Sequence, residues 1–152
     1  GMGIQSGLQV PMKIGSSVPP PKAEGVKNKR PQLAIDQVFK TLRSGLKIYV
    51  ERSGDGPKVV KGSQVKVHYD GWLAEDYSKF DSSRDKRRPF EFELGAGKVI
   101  KGWEEGLEGL RAGSKIQLII PAKLAYGKAG VPSMGIPEDA ELIFKVEVLK
   151  VT

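Results

Sequence analysis

The sequence lacks cysteine altogether and has a single histidine, His68. Without cysteine there can be no disulfide framework, thiol nucleophile or thiolate metal site, and one histidine cannot build a multi-histidine metal cluster. No metal or other cofactor is expected. No apolar run approaches the roughly 18 residues of a membrane span, and the start of the chain has no signal-peptide pattern. Ser82 and Ser83 have neither a second histidine nor a nucleophile-elbow motif to activate them, and Gly95 and Gly97 lack the full spacing and the Lys-Ser or Lys-Thr of a phosphate loop. Acyl transfer, metal-assisted hydrolysis and nucleotide binding therefore have no supporting residues. What is present is a chain of 152 residues, 39% hydrophobic and 28% charged, enough for one compact core.

The net charge of +7 is unevenly spread: residues 1–50 hold eight Lys or Arg against two acidic groups, whereas the remainder is almost balanced. Residues 1–30, rich in Gly and Pro, keep no helical or strand period and are expected to be an extended basic tail. A solvated tail is the plain expectation. Contact with nucleic acid, an anionic membrane or an acidic partner is the alternative, although no aromatics are interleaved to stack on bases. Lys27, Lys29 and Arg30 form a weak nuclear-targeting-like patch, which makes a nuclear location the alternative to a cytoplasmic one. Pro31 and the spacing of Ile35, Val38, Phe39 and Leu42 predict a short amphipathic helix over 31–44, ended by Gly45. Its stripe would cover either the following domain or a second copy of the chain; a monomer is expected.

From residue 45 the period changes to two. Leu46, Ile48 and Val50 alternate, as do Val65, Val67 and Tyr69, then Phe90, Phe92 and Leu94, then Ile116, Leu118 and Ile120, then Leu142, Phe144, Val146 and Val148. His68, out of phase with its neighbours, should face solvent. Between the third and fourth sets, Ile100, Trp103, Leu107 and Leu110 recur at helical intervals, although Gly106 and Gly109 each cost about 1 kcal/mol of helix propensity. Such a helix needs a sheet to bury its apolar face. The fold class is α+β: an antiparallel sheet curved over one short helix.

Tyr69, Phe80, Phe90, Trp103, Tyr126 and Phe144 are more large rings than so small a core obviously needs. All six can be core, yet buried phenol and indole groups need polar partners and favour half-open apolar pockets. Asp81, next to Phe80, has two readings: a turn-capping acid using backbone N–H groups, or a pocket wall group oriented by Tyr69. Arg84, Lys86, Arg87 and Arg88 crowd the loop that follows, a solvated turn or a site for an acidic partner or phosphate.

Five segments taken in order, VHYDGWL at 67–73, KFDSSRDKRRPFEFELG at 79–95, VIKGWEEGLEGL at 99–110, AYGKAG at 125–130 and ELIFKVEVLKV at 141–151, resemble the FKBP-type peptidyl-prolyl cis-trans isomerases. The resemblance covers about residues 45–152. It implies a curved antiparallel sheet of five or six strands around one helix, and an enzyme of protein folding that rotates Xaa-Pro bonds without covalent chemistry. It further implies that proline-containing peptides or proteins are the substrates and that rapamycin-type macrolides bind; the alternative is a proline-binding scaffold with little turnover.

By that resemblance Tyr69, Phe80, Asp81, Phe90, Val99, Ile100, Trp103, Tyr126, Ile136 and Phe144 form the prolyl pocket. Trp103 is its floor, while Phe80, Phe90 and Phe144 are its walls. Tyr126 offers its hydroxyl and Ile100 its backbone N–H to substrate carbonyls, and Asp81 lies near the rotating bond. The loop after Tyr126 departs from the family pattern, with Val131 where a histidine commonly precedes the proline and a longer path through Ser133, Met134 and Gly135. Ile136, followed by Pro137, is the better match for the residue covering the ring, with Met134 as the alternative.

Overall fold

Alternation along Gln64–Leu73 produces a strand whose residues are buried at every second position, the signature of a sheet with one dry and one wet face. The computed structural model describes residues 38–152 and places this strand, β3, beside the long C-terminal strand β7 (Leu142–Val151) along nearly its whole length. Outward from β7 follow β6 (Lys115–Ile120), β2 (Lys47–Arg52) and the two-residue β1 (Lys40–Thr41). On the other side of β3 two short strands share one edge: β4 (Lys79–Ser82) pairs with Asp70–Trp72, and β5 (Phe90–Glu93) with Gln64–Val67. All seven strands are antiparallel. Two exceed the five anticipated from the period-two sets, because β1 and β4 are too short to show a period.

The helix α1 (Lys101–Leu107) crosses the inner face with Trp103 and Leu107 fully buried. Seven residues are too few for an isolated helix, so burial must hold it, each of these side chains contributing about 2–3 kcal/mol. Its glycines are the means of that burial. A Cβ on Gly102 would stand 2.6 Å from Ile120 Cγ2, and one on Gly106 2.9 Å from Leu118 Cδ2, so both glycines let the helix backbone settle onto β6. Gly109, expected within the helix, lies beyond its end with φ near +90°, where glycine is the unstrained residue.

The basic tail and the first seven residues of the expected 31–44 helix lie outside the described residues. Where that segment becomes described it is not helical to Ser44: Lys40 and Thr41 pair with Ile48 and Lys47 in the sheet. Phe39 instead packs on the ring of Tyr49 with centroids 6.0 Å apart, and Leu42 packs against the core. Cross-strand pairing with β2 thus outcompetes the local helical spacing. Among the described residues no helix is long and apolar enough to cross a membrane.

Candidate active site

Tyr69 stands at the middle of β3, opposite Val146 of β7, and its ring meets the Trp103 indole edge-on with centroids 5.3 Å apart. Phe144 lies edge-on to the same indole at 5.4 Å, Phe80 of β4 edge-on to Phe144 at 5.6 Å, and Phe90 and Phe92 of β5 edge-on to Trp103 at 6.1 and 5.8 Å. Such angles place the positive edge of one ring on the negative face of the next. The result is a cradle around the indole rather than a stack. Gly71 makes it possible: this residue, paired with Phe144, has Phe80 Cζ and Phe144 Cε1 each 2.8 Å from where a Cβ would be. Trp103, Tyr69, Phe144 and Phe80 are buried, whereas Phe90 and Tyr126 are half-buried and bring the cluster to solvent. Among the described residues the Trp103 Nε1–H finds no hydrogen-bond acceptor.

Polar groups converge at one side. The Tyr69 hydroxyl donates to Asp81 Oδ2 at 2.5 Å, the Ser82 N–H donates to Oδ1 at 2.8 Å, and Lys86 Nζ lies 3.0 Å from Oδ1. One carboxylate thus accepts both a backbone N–H, as a turn-capping acid does, and the Tyr69 hydroxyl. Burial, followed by the charge and hydrogen bond of Asp81, pushes Tyr69 far above the ordinary phenol range. Burial and the field of Asp81 likewise raise Tyr126, which follows the 3-10 turn Ala122–Leu124. Both phenols are consequently hydrogen-bond donors across the physiological range.

Val99 and Ile100 are buried at the entrance to α1, where the Ile100 carbonyl accepts from the N–H groups of Trp103 and Glu104 at 3.0 and 3.2 Å. The 131–136 loop closes on itself through paired bonds between Val131 and Ile136, at 2.9 and 3.1 Å, and buries both Ile136 and Met134 in the same core cluster as Trp103. The two candidates for covering the ring are thus both inside. Among the described residues no group of three or more His, Cys, Asp or Glu is placed to hold a metal.

Three comparisons relate the chain that carries this cradle to known proteins. The model of the family described as FKBP-type peptidyl-prolyl cis-trans isomerase matches residues 56–149. The chain belongs to that family. Among its FKBP-type relatives, the FK506-binding protein of Neisseria meningitidis serogroup B is 50% identical over 107 residues, 70% of this chain and 96% of the relative. The peptidyl-prolyl cis-trans isomerase FPR2 of Saccharomyces cerevisiae is 50% identical over 94 residues, 62% of this chain and 69% of that protein. Among solved structures, FkpA from Escherichia coli superposes with a TM-score of 0.70 at 43% identity, covering 77% of this chain and 53% of FkpA.

In this FKBP-type domain the structure brings Tyr69, Phe80, Asp81, Phe90, Trp103 and Phe144 together, and Phe92, Ser83 and Lys86 pack or bond against them. Phe92 completes the far side of the indole. Ser83 fills the gap between β4 and β5, where β3 would otherwise lose its edge partner: its N–H donates to the Tyr69 carbonyl at 3.0 Å and its Oγ accepts the Tyr69 N–H at 2.7 Å. His68 is half-buried rather than solvated, its Nδ1 2.8 Å from the same Oγ. Lys86 holds Asp81 from the loop. Phe92 was legible in its strand period; Ser83 and Lys86 were not, because their partners lie in space and not in spacing.

Proposed function

We propose that the cradle of Tyr69, Phe80, Phe90, Trp103 and Phe144 is where this isomerase seats the prolyl ring. The observation that carries this is the edge-on arrangement of Tyr69, Phe90, Phe92 and Phe144 about Trp103, with Phe80 edge-on to Phe144 and Asp81 and Tyr69 bonded at the side. Rotation about an Xaa-Pro bond passes through a twisted amide that has lost resonance, at a barrier of about 18–20 kcal/mol. An acceleration of about 10⁴ requires about 5.5 kcal/mol of selective stabilisation, and no bond is broken. The planar amide is the more polar of the two states, so enclosure by Phe80, Trp103 and Phe144 disfavours it more than the twisted one. The ring is held while the acyl side turns. Tyr126, kept protonated, donates to a substrate carbonyl, as does the backbone N–H of Ile100, and Asp81 fixes Tyr69 in the wall instead of transferring a proton.

A rapamycin-type macrolide occupies the same cradle and competes with proline peptides; relatives named FK506-binding proteins support this. The test is exchange-NMR measurement of cis-trans turnover on one proline peptide, with and without macrolide, for the parent, Trp103→Leu and Asp81→Asn proteins. A folded Trp103→Leu protein should lose at least about tenfold of the turnover, and macrolide should abolish what the parent shows. Parent-like turnover in that variant, or macrolide binding that leaves turnover intact, overturns the assignment.

A further inference from the structure

Beside the cradle is a smaller cavity of about 60 Å³, lined by Tyr69, Ser83, Lys86, Arg88, Pro89 and Phe90. Its volume equals that of about two waters, the room a carboxylate needs when it replaces them. Two of its walls, Tyr69 and Phe90, are rings of the cradle, and two are cations. The loop that brings the cations there is a closed turn. Lys86 N–H donates to the Ser82 carbonyl, Arg87 N–H to Arg84 and Arg88 N–H to Ser83, at 3.3, 3.0 and 3.1 Å, while the Asp85 N–H donates to Ser82 Oγ at 3.1 Å. Arg87 takes a left-handed conformation at the tip, φ near +56°, which turns the chain back toward Phe90.

The charges of this loop are unequally engaged. Arg84 is paired with Glu147 at 2.7 Å, Asp85 with Lys79 at 3.3 Å, and Lys86 with Asp81 at 3.0 Å. Arg88 makes no ion pair among the described residues, although it is exposed and lines the cavity next to the cradle. A guanidinium held on a hydrogen-bonded turn loses little freedom when it meets a carboxylate and can bind it through two parallel bonds.

We propose that Arg88, with Lys86 beside it, forms an anion subsite on the rim of the prolyl cradle, so that this isomerase favours substrates with a glutamate or aspartate flanking the proline. The proposal rests on the cradle being the prolyl site, and neutral peptides separate the two. Turnover would be measured on peptides with Glu or Gln immediately before the proline, and on a second pair with Glu or Gln immediately after it, for the parent and for Arg88→Gln. An exposed arginine–carboxylate pair corresponds to about a threefold higher kcat/KM for the better Glu peptide over its Gln counterpart, shrinking as salt rises from 20 to about 500 mM. Arg88→Gln should bring the Glu-to-Gln ratio to about one. Equal turnover of Glu and Gln peptides at both positions by the parent, or a Glu preference that persists in Arg88→Gln, overturns the subsite while leaving the cradle intact. Failure of the parent to turn over the Gln peptides overturns the cradle assignment itself, and the subsite with it.

Discussion

Replacing Gly71 with alanine inserts one methyl group between two walls of the cradle. The Cβ would lie 2.8 Å from Phe144 Cε1 and 2.8 Å from Phe80 Cζ, where ordinary contacts are 3.4–4 Å, so both rings must retreat by more than half an ångström. Both are closely packed where they stand: Phe144 is fully buried and Phe80 nearly so, and each is held edge-on to the other. Overpacking of this kind costs about 1–3 kcal/mol, and the lower unfolded-state entropy of alanine returns about 0.4–1. The net loss expected is therefore about 1–2 kcal/mol, a fall in Tm of about 5–10 °C for a domain of this size. Urea unfolding should show a lower midpoint with an unchanged slope, and proline-peptide turnover should fall together with it because the displaced rings are those that would enclose the substrate. Adding Phe80→Leu to Gly71→Ala should recover part of the stability, with a coupling of about 1 kcal/mol. A Gly71→Ala protein as stable and as active as the parent would refute the claim that the absence of a side chain here shapes the site.

Gly102→Ala should destabilise by about 1–2 kcal/mol, since the added Cβ meets three atoms of Ile120 within 3.0 Å, whereas Gly106→Ala should be nearly neutral because its gain of about 1 kcal/mol in helix propensity offsets a milder clash with Leu118; thermal unfolding compares the two. Asp81→Asn leaves the Tyr69 hydroxyl an acceptor but weakens the charge-assisted bond and removes the anion that Lys86 pairs with, so turnover should fall severalfold in the folded protein. Turnover should stay flat as pH rises through 10, because burial and Asp81 keep Tyr69 and Tyr126 protonated; stability should decline there, since the unfolded chain releases protons that the folded one retains, and a rate that fell at pH 10 without unfolding would contradict this. The Arg84 hydrogen bond, against an opposing effect of burial, holds Glu147 below the usual carboxylate range, so Glu147→Gln should be less stable than the parent at neutral pH, and the difference should fade as pH falls below the usual carboxylate range and through the lowered folded-state value.

Most of the architecture was legible because it follows from alternation. The sets around Val65, Phe90, Ile116 and Leu142 coincide with β3, β5, β6 and β7, and the helical interval around Trp103 with α1. Elements settled by pairing rather than pattern were not. Lys79–Ser82 is too short and too polar to announce a strand, yet it carries Phe80 and Asp81 into place by pairing with Asp70–Trp72. Residues 40 and 41 lie between Phe39 and Leu42 of a helical spacing but find a partner in β2. The helix glycines counted against α1 when judged by propensity alone, and their merit is visible only from the side chains of β6 opposite them. In the site, the rings could be recognised from the segments that carry them, but the bonds of Asp81, Ser83 and Lys86 join residues whose mutual distance no spacing encodes.

The divided margin of β3 has a further consequence. Unfolded chains are rich in extended segments seeking a strand to join. Here the outermost strands offer such segments two or four residues at a time, and between β4 and β5 the turn carrying Arg84 to Arg88 interrupts the row while Ser83 occupies the backbone groups of Tyr69. An extended chain finds no continuous ladder here on which to zip up, and short, charged borders of this kind guard a sheet against edge-to-edge pairing.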